Sequence, residues 1–420
     1  MKRFIFIALI LTCLSGNQHL TAQNAKSGED YIKAALLNSP LLYDYENRRL
    51  SLKFDSALLM ADYGLKVDAF ADLMAAPVIH GWGYDEALSN GQFATTGLRV
   101  SRDIIGRNNL KSRLDSYKLS ENQLNSQKQL SEQMMRLTVT DQYINTYISQ
   151  EQLSIYQEII NVLKKEEKIL YKLTQSAVFS QTEYLTFLVS LQQNELSLQQ
   201  AKADFQNNMS VLNVISGLMD TTTYSLSPPL MDEKMAVPFN ESIYAQLNQS
   251  DSLKLENEAI IIKNEYKPKL SVYADAGYSS SFIKSPYKNF GTSVGLNLSI
   301  PLYDGNKQKM LLQQNSITQD TRSRYYAFNQ QQYAQKIYQL NQQIQQTRQM
   351  LNTCDEQLKY SDTLIKANLK QLPTGDIRVT DFIVSENNFL NLKLTRIQYE
   401  GKLYSYFNQL KYMSISTPAP

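Results

Sequence analysis

The chain carries the same pattern of residues twice, and this repetition limits the folds available to it more than any other feature. Gly97 and Gly295 lie in two motifs of the form Gly-Leu-x-Val/Leu-Ser, 198 residues apart. The same offset separates two further pairs of residues: Ala177 and Gly375, and Glu183 and Asp381. Because these pairs share one offset over about 85 residues, we infer that one structural unit has been duplicated.

The first 22 residues are predicted to be a secretory signal peptide. Lys2 and Arg3 precede an apolar run, Phe4–Leu14, and the small residue Ala22 marks the expected cleavage site. The apolar run has about 11 residues, whereas a helix needs about 20 to span a bilayer. Cys13 leaves a lipidated N terminus as the alternative. In both cases we expect the chain to be exported.

The rest of the chain divides into four predicted segments. They are a first repeat at residues 23–217, a linker at 218–240, a second repeat at 241–415 and a C-terminal tail at 416–420. Each repeat reads as a helix, a pair of strands, a long helix, a turn and a second long helix. Pro228 and Pro229 end the helical pattern in the linker. The predicted fold class is therefore α+β.

The strands of the second repeat show a clear two-residue alternation. Apolar residues occupy every second position of Leu270–Tyr278 and most such positions of Phe290–Ile300. The first repeat places a less regular pair at Leu65–Pro77 and Gly91–Ile104. The alternation predicts strands with one apolar and one polar face. Four aromatic residues near the strand connections suggest a membrane-interface girdle or a scattered surface set: Trp82, Tyr84, Phe282 and Tyr287.

The long helices carry a heptad pattern typical of coiled coils. Apolar and small residues recur at steps of three and four from Ile337 to Ile365, and again from Phe389 to Met413, where only Arg396 interrupts them. These two segments are predicted to form an antiparallel helical hairpin. The corresponding helices of the first repeat are expected at Arg107–Gln175 and Thr182–Gly217, and the longer one would extend about 100 Å.

The composition excludes several kinds of chemistry. After removal of the signal peptide, Cys354 is the only cysteine and His80 is the only histidine that remain. An intrachain disulfide is therefore impossible. Zinc sites and histidine-activated nucleophiles lack their usual residues. Cys354 lies on the heptad seam and is expected to pack there as a small apolar residue. We predict no catalytic residue, no metal site and no cofactor, and the neutral mature chain suggests no nucleic-acid partner.

The strands are the part of the mature chain that could cross a membrane. No window after the signal approaches 18 uninterrupted apolar residues. Four strands with one apolar face cannot close on themselves, and unpaired strand edges are costly in lipid. Closure therefore requires strands from further copies of the chain, which predicts a barrel with lipid outside and polar faces lining water.

Several segments resemble the TolC-like outer-membrane efflux proteins. The tract Val294–Gly305 is similar to the strand-to-helix signature of this family, and Lys267–Leu270 and Ala35–Pro40 resemble its other recurring segments. The residues that carry the strand-to-helix signature in the two repeats are Gly97, Gly106, Gly295, Pro301 and Gly305. The motifs occur in order in both repeats and cover nearly all of the mature chain.

The resemblance implies an α+β membrane protein that assembles as a homotrimer. Its 12-stranded barrel, with four strands per chain, would lie in the outer membrane and continue as a periplasmic barrel of coiled-coil helices. The family resemblance also implies a passive exit duct from the periplasm. Its expected partners are a periplasmic adaptor of the membrane fusion class and an inner-membrane transporter of the RND or ABC class.

The resemblance further suggests where the pore narrows. In this family an acidic residue six positions after the turn glycine faces the pore, and Gly375 and Asp381 keep that spacing, with Glu183 as the counterpart. Val384 stands where some members have a second acid. Asp381 could instead be a solvated carboxylate near a helix start. The residues expected at the hairpin turns and at the adaptor contact are Ala177, Val178, Phe179, Gly375, Asp376 and Ile377.

Two other classes of protein deserve comparison with a channel. Soluble periplasmic adaptors or scaffolds also use long helical hairpins, although they usually have one hairpin between compact β-rich segments. The two hairpins here alternate with strand pairs of one-sided polarity. An exported enzyme is the weakest reading, because no catalytic group of residues can be assembled from this sequence.

Overall fold

The computed structural model describes residues 26–83, 92–220, 222, 224–230, 236–281 and 286–413. The predicted signal peptide, the predicted tail at 416–420, Tyr84 and Phe282 lie outside the described residues. Within the described residues, no helix combines the length and the apolar character needed to cross a bilayer.

The described elements follow the predicted order, except that two helices, not one, precede the strands of the first repeat. The helices are α1 (Gly28–Asn38), α2 (Pro40–Asp62), α3 (Arg107–Gln175), α4 (Gln181–Ile215), α5 (Ile243–Glu265), α6 (Lys307–Gln371) and α7 (Val379–Met413). The strands are β1 (Lys66–Ala75), β2 (Gln92–Ile104), β3 (Lys269–Ser280) and β4 (Phe290–Ser299). Short 3-10 turns lie at Phe239–Glu241, Pro286–Lys288 and Leu372–Thr374. The predicted strands and long helices are therefore confirmed to within a few residues.

The strands form one antiparallel sheet in the order β1-β2-β3-β4. The two repeats meet where β2 pairs with β3, and this pairing places Gly97 opposite Gly277 and Arg99 opposite Asp275. The outer edges of β1 and β4 have no strand partner among the described residues. The sheet thus joins both repeats and leaves an open edge on each side.

The two faces of the sheet differ as the alternation predicts. One face carries aliphatic side chains that are highly exposed in the single chain, with Leu73 at 86% and Val294 at 84%. The other carries polar residues and glycines, and there the Arg99 guanidinium donates to both carboxylate oxygens of Asp275, at 2.7 and 3.2 Å. Such a bidentate pair fixes the register of β2 against β3.

The chain separates into two compact units that cut across the repeats. One unit contains the described residues of 1–39, 133–236 and 337–414, and the other contains those of 40–132 and 237–336. The sheet, α2 and α5 belong to the second unit, while α1, α4 and α7 belong to the first. Because α3 and α6 run through both units, each unit takes residues from both repeats.

Apolar clusters hold the helices of the first unit together. One cluster joins Ile159 and Leu163 of α3 to Phe187 of α4 and Phe382 of α7. Another joins Leu340 and Ile344 of α6 to Leu403, Phe407 and Leu410 of α7. The seam predicted on α6 is confirmed, since its residues between Ile337 and Ile365 are buried or half-buried, Cys354 among them.

The predicted seam residues on α7 are also buried or half-buried, but the first half of this helix buries a neighbouring stripe of residues more deeply. The sequence pattern favours Phe389 and Leu392, which are only partly buried, whereas Phe382, Glu386 and Leu390 are the buried residues. The physical reason is that α7 also packs closely along α4, where the rings of Phe187 and Phe382 stack with centroids 6.4 Å apart. A pairwise hairpin pattern does not include this third helix.

Candidate functional site

The two helical hairpins turn with the same backbone geometry. In the first turn, Ala177 has a left-handed backbone with φ +59°, and in the second Gly375 has φ +76°. The N–H of Val178 donates to Leu173 O at 2.9 Å. In the second turn, the N–H of Asp376 donates to Gln371 O at 3.2 Å. Both bonds join residues five positions apart, as in the Schellman motif, and the donors and acceptors are each related by the 198-residue offset.

The left-handed residue differs between the turns, which gives a matched pair of predictions. Ala177→Gly is expected to stabilise the first hairpin by about 1 kcal/mol, because glycine adopts positive φ without a Cβ clash. Gly375→Ala is expected to destabilise the second hairpin by at least about as much. Its added Cβ would also come within 2.8 Å of Val178 Cγ1 on the other turn.

Thermal unfolding of the purified protein, followed by helical circular dichroism, would measure both changes. Opposite shifts in melting temperature are expected. Equal shifts, or a loss of stability in Ala177→Gly, would contradict the assignment of these two positions as equivalent.

The two predicted pore carboxylates have different surroundings. Glu183 closes a capping box: the N–H of Ser180 donates to Glu183 Oε2 at 3.0 Å, and the N–H of Glu183 donates to Ser180 Oγ at 3.2 Å. Asp381 is exposed in the first turn of α7, and its carboxylate has no ion pair among the described residues. The equivalent of Ser180 is Arg378, so this helix lacks the cap.

The residues predicted to contact an adaptor are split by their burial. Ala177, Val178, Gly375 and Asp376 are exposed. Phe179 is buried in the cluster that contains Phe187 and Phe382, and Ile377 packs against the same cluster. Phe179 is therefore a core residue that anchors the turn, and its side chain is not available to a partner.

Three of the four glycines among the predicted strand-to-helix residues lie where there is little room for a side chain or where the backbone has a positive φ. Gly97 lies where β2 and β3 approach closely, and a Cβ there would be 2.6 Å from Ala276 O. Gly295 lies beneath the ring of its cross-strand partner Tyr273. Gly305 has φ +68° just before α6, and Asp304 caps that helix by accepting from Gln308 N at 2.7 Å. Gly106 and Pro301 are exposed at the ends of β2 and β4.

Glu386 is a buried carboxylate that the sequence pattern missed. Its side chain is only 3% exposed, and neither carboxylate oxygen has a hydrogen-bond partner within the described residues. Burial raises the pKa of Glu386 to about 7. It lies four residues after Phe382 and four before Leu390, so these three side chains share one face of α7, and the predicted seam did not include this face.

Comparisons with known proteins agree with this geometry. Residues 259–414 match the profile of the family described as outer membrane efflux protein. No curated protein matches the sequence.

Solved structures of outer-membrane proteins share the fold. VceC of Vibrio cholerae has a TM-score of 0.77 at 12% identity, over 92% of this chain and 96% of its own. The CmeC channel of Campylobacter jejuni has a TM-score of 0.74 at 12% identity, over 92% and 85%. The open state of the Neisseria gonorrhoeae MtrE channel has a TM-score of 0.68 at 13% identity, over 91% and 88%.

Proposed function

We propose that this chain, a TolC-like protein of the outer-membrane efflux type, forms the passive exit duct of an efflux or export system. The family match and the shared fold support an efflux channel. In the proposed assembly, three chains contribute four strands each to a 12-stranded barrel in the outer membrane. The helical part would lie in the periplasm and engage a membrane fusion adaptor and an RND or ABC transporter.

The polarity of the sheet is the observation that carries this proposal. Its aliphatic face is exposed in the single chain, and its opposite face carries charged and hydroxyl side chains. An exposed aliphatic face is stable in lipid, but the two open edges are not, because lipid offers no hydrogen bonds to the backbone. Joining the edge of β1 to β4 of another copy satisfies both requirements and lines the interior with polar residues.

Planar-bilayer conductance, with the oligomeric mass determined on the same sample, would test the proposal. We expect discrete channels from a detergent-extracted trimer. A water-soluble monomer without conductance would overturn the channel assignment and favour a periplasmic adaptor or scaffold.

The free carboxylate of Asp381 is proposed to narrow the pore and attract cations. Asp381→Asn is therefore expected to lower the cation-to-anion permeability ratio by about twofold to fivefold, since a unit charge a few ångströms from an ion in water has an effect of that size. Reversal potentials under a salt gradient would measure the ratio.

Glu183→Gln is the matched control for Asp381→Asn. It removes the same charge from the equivalent turn, but its carboxylate is already held by Ser180. We expect a smaller change in selectivity and a lower melting temperature, because the capping box is weakened. Equal selectivity in wild type and Asp381→Asn would exclude Asp381 from the constriction.

A further inference from the structure

The end of the sheet from which α3 and α6 begin carries an excess of free cations. Arg102 lies on the aliphatic face of β2 with Val100 and Ile104, opposite Val272 of β3. It is exposed and forms no ion pair within the described residues. An arginine at the edge of a lipid-facing surface can extend its guanidinium to the headgroup level while its stem stays in apolar surroundings.

The first turns of the two helices continue this positive surface. Helix α3 begins with Arg107, and α6 begins with Lys307 and Lys309, and neither helix has an acid in its first turn. Lys111 lies one turn further along α3 and is also exposed. These cations form no ion pair within the described part of the chain.

Positive residues at these positions oppose the helix dipole. The N terminus of a helix favours acidic side chains. Other helices follow this rule, with Glu29 and Asp30 in α1, Glu183 in α4 and Asp381 in α7. Only the two helices that leave the sheet place basic residues there, among those described. A local arrangement that costs stability in the chain alone is explained by an anionic partner outside it.

The neighbouring apolar residues identify the kind of partner. Directly after β4, Leu302 and Tyr303 are 93% and 83% exposed, and Ile300 is half exposed. Of the nearby acids, Asp304 caps α6 and Glu265 pairs with Arg113 at 3.1 Å, whereas Asp103 lies on the opposite, polar face of β2. Exposed aliphatic and aromatic groups beside unpaired cations are the pattern of a membrane interface with anionic lipid.

We propose that this end of the sheet, with Arg102, Arg107, Lys111, Lys307 and Lys309, binds the phosphate headgroups of anionic phospholipids. The bound lipids would be those of the bilayer leaflet next to the helical part. This inference rests on the proposed function, because it requires the aliphatic face of the sheet to lie in a membrane. The cations then fix the depth of the sheet in the bilayer, and the lipid phosphates offset the positive charge of the two helix starts.

Lipid binding to the full-length mature protein in detergent micelles would test the proposal. Phosphatidylglycerol and phosphatidylcholine compete for the protein, and native mass spectrometry counts the lipids retained. We expect wild type to retain more phosphatidylglycerol than phosphatidylcholine. In the triple variant Arg102→Gln/Arg107→Gln/Lys111→Gln, the ratio of the two retained lipids should be lower by at least about tenfold.

A second triple variant controls for the loss of charge. Lys165→Gln/Lys168→Gln/Lys172→Gln removes the same charge from exposed positions near the other end of α3 and should keep the wild-type preference. Equal loss in both triple variants, or no preference in wild type, would overturn the proposed site. Conductance of the wild-type sample distinguishes the lipid-site proposal from the proposed channel function. A protein that forms channels but shows no lipid preference would refute the lipid site alone. A protein that neither conducts nor retains lipid would refute both.

Discussion

Replacing Glu386 with leucine is expected to stabilise the protein by about 3 kcal/mol per chain at pH 8. The side chain is buried between Phe382 and Leu390, and its two oxygens have no partner within the described residues. An ionised carboxylate in this setting is costly, and leucine has a similar volume and fits the apolar cluster. The magnitude follows from the shift of the Glu386 pKa from 4.5 to about 7, at about 1.4 kcal/mol per unit.

The same residue should make stability depend on pH in a defined direction. The pKa in the folded protein, about 7, lies above the unfolded value of 4.5, so the folded state holds the proton more tightly. The destabilising effect of Glu386 is therefore absent below pH 4.5. It grows as the pH rises from 4.5 to about 7, and it is complete above that pH. Glu386→Gln cannot ionise and should lose this dependence.

Chemical unfolding at pH 5 and pH 8 would measure these differences. Wild type should become less stable relative to Glu386→Gln as the pH rises. Glu356 is an exposed carboxylate on α6, and Glu356→Gln should behave as wild type at both values. A Glu386→Gln variant with the wild-type pH dependence would show that Glu386 does not ionise in this range.

Glu386 also shows why the buried face of α7 could not be predicted from the sequence alone. The heptad on α6 predicted its buried face because that helix meets one main neighbour, and Leu340 and Ile344 indeed pack against α7. Helix α7 meets α3 and α4 as well, so two stripes of residues compete for burial. The pattern selected the stripe that Arg396 interrupts, and the structure buries the stripe that contains Glu386 more deeply.

The 198-residue offset is matched by individual hydrogen bonds in the two hairpin turns. The bonds from Val178 to Leu173 and from Asp376 to Gln371 occupy equivalent places in the two turns. The offset did not reveal that Glu183 is capped and Asp381 is not. That difference depends on Ser180, three residues before Glu183, and on its replacement by Arg378 in the second copy.

The irregular alternation of the first repeat also has a physical explanation. Phe70 lies on the polar face, where regular alternation predicts a polar residue. Its ring packs near the guanidinium of Arg99 at 5.1 Å, and the ring of Tyr273 lies at 5.4 Å from the same group. The aromatic residues thus accompany the Arg99–Asp275 pair that joins the two repeats.

Gly97→Ala is expected to weaken the sheet where the two repeats meet. Gly97, Gly277 and Gly291 form one row across β2, β3 and β4. A Cβ on Gly97 would lie 2.6 Å from Ala276 O and 2.9 Å from Gly277 Cα, and these are backbone atoms that move only with their strand. We expect a loss of about 1–3 kcal/mol per chain, as for overpacking in a dense core, and three copies in the proposed trimer would multiply it.

Gly291→Ala provides the matched control within the same row. A Cβ on Gly291 meets no atom within 4 Å, so the identical substitution should be neutral or slightly stabilising. The melting temperature of the detergent-purified oligomer and the yield of conducting channels would measure both variants. If Gly97→Ala and Gly291→Ala changed the melting temperature and the channel yield equally, the requirement for glycine at position 97 would not come from close contact between the repeats. If only Gly97→Ala lost stability and channels, the junction of the two repeats would be the part of the sheet on which assembly depends.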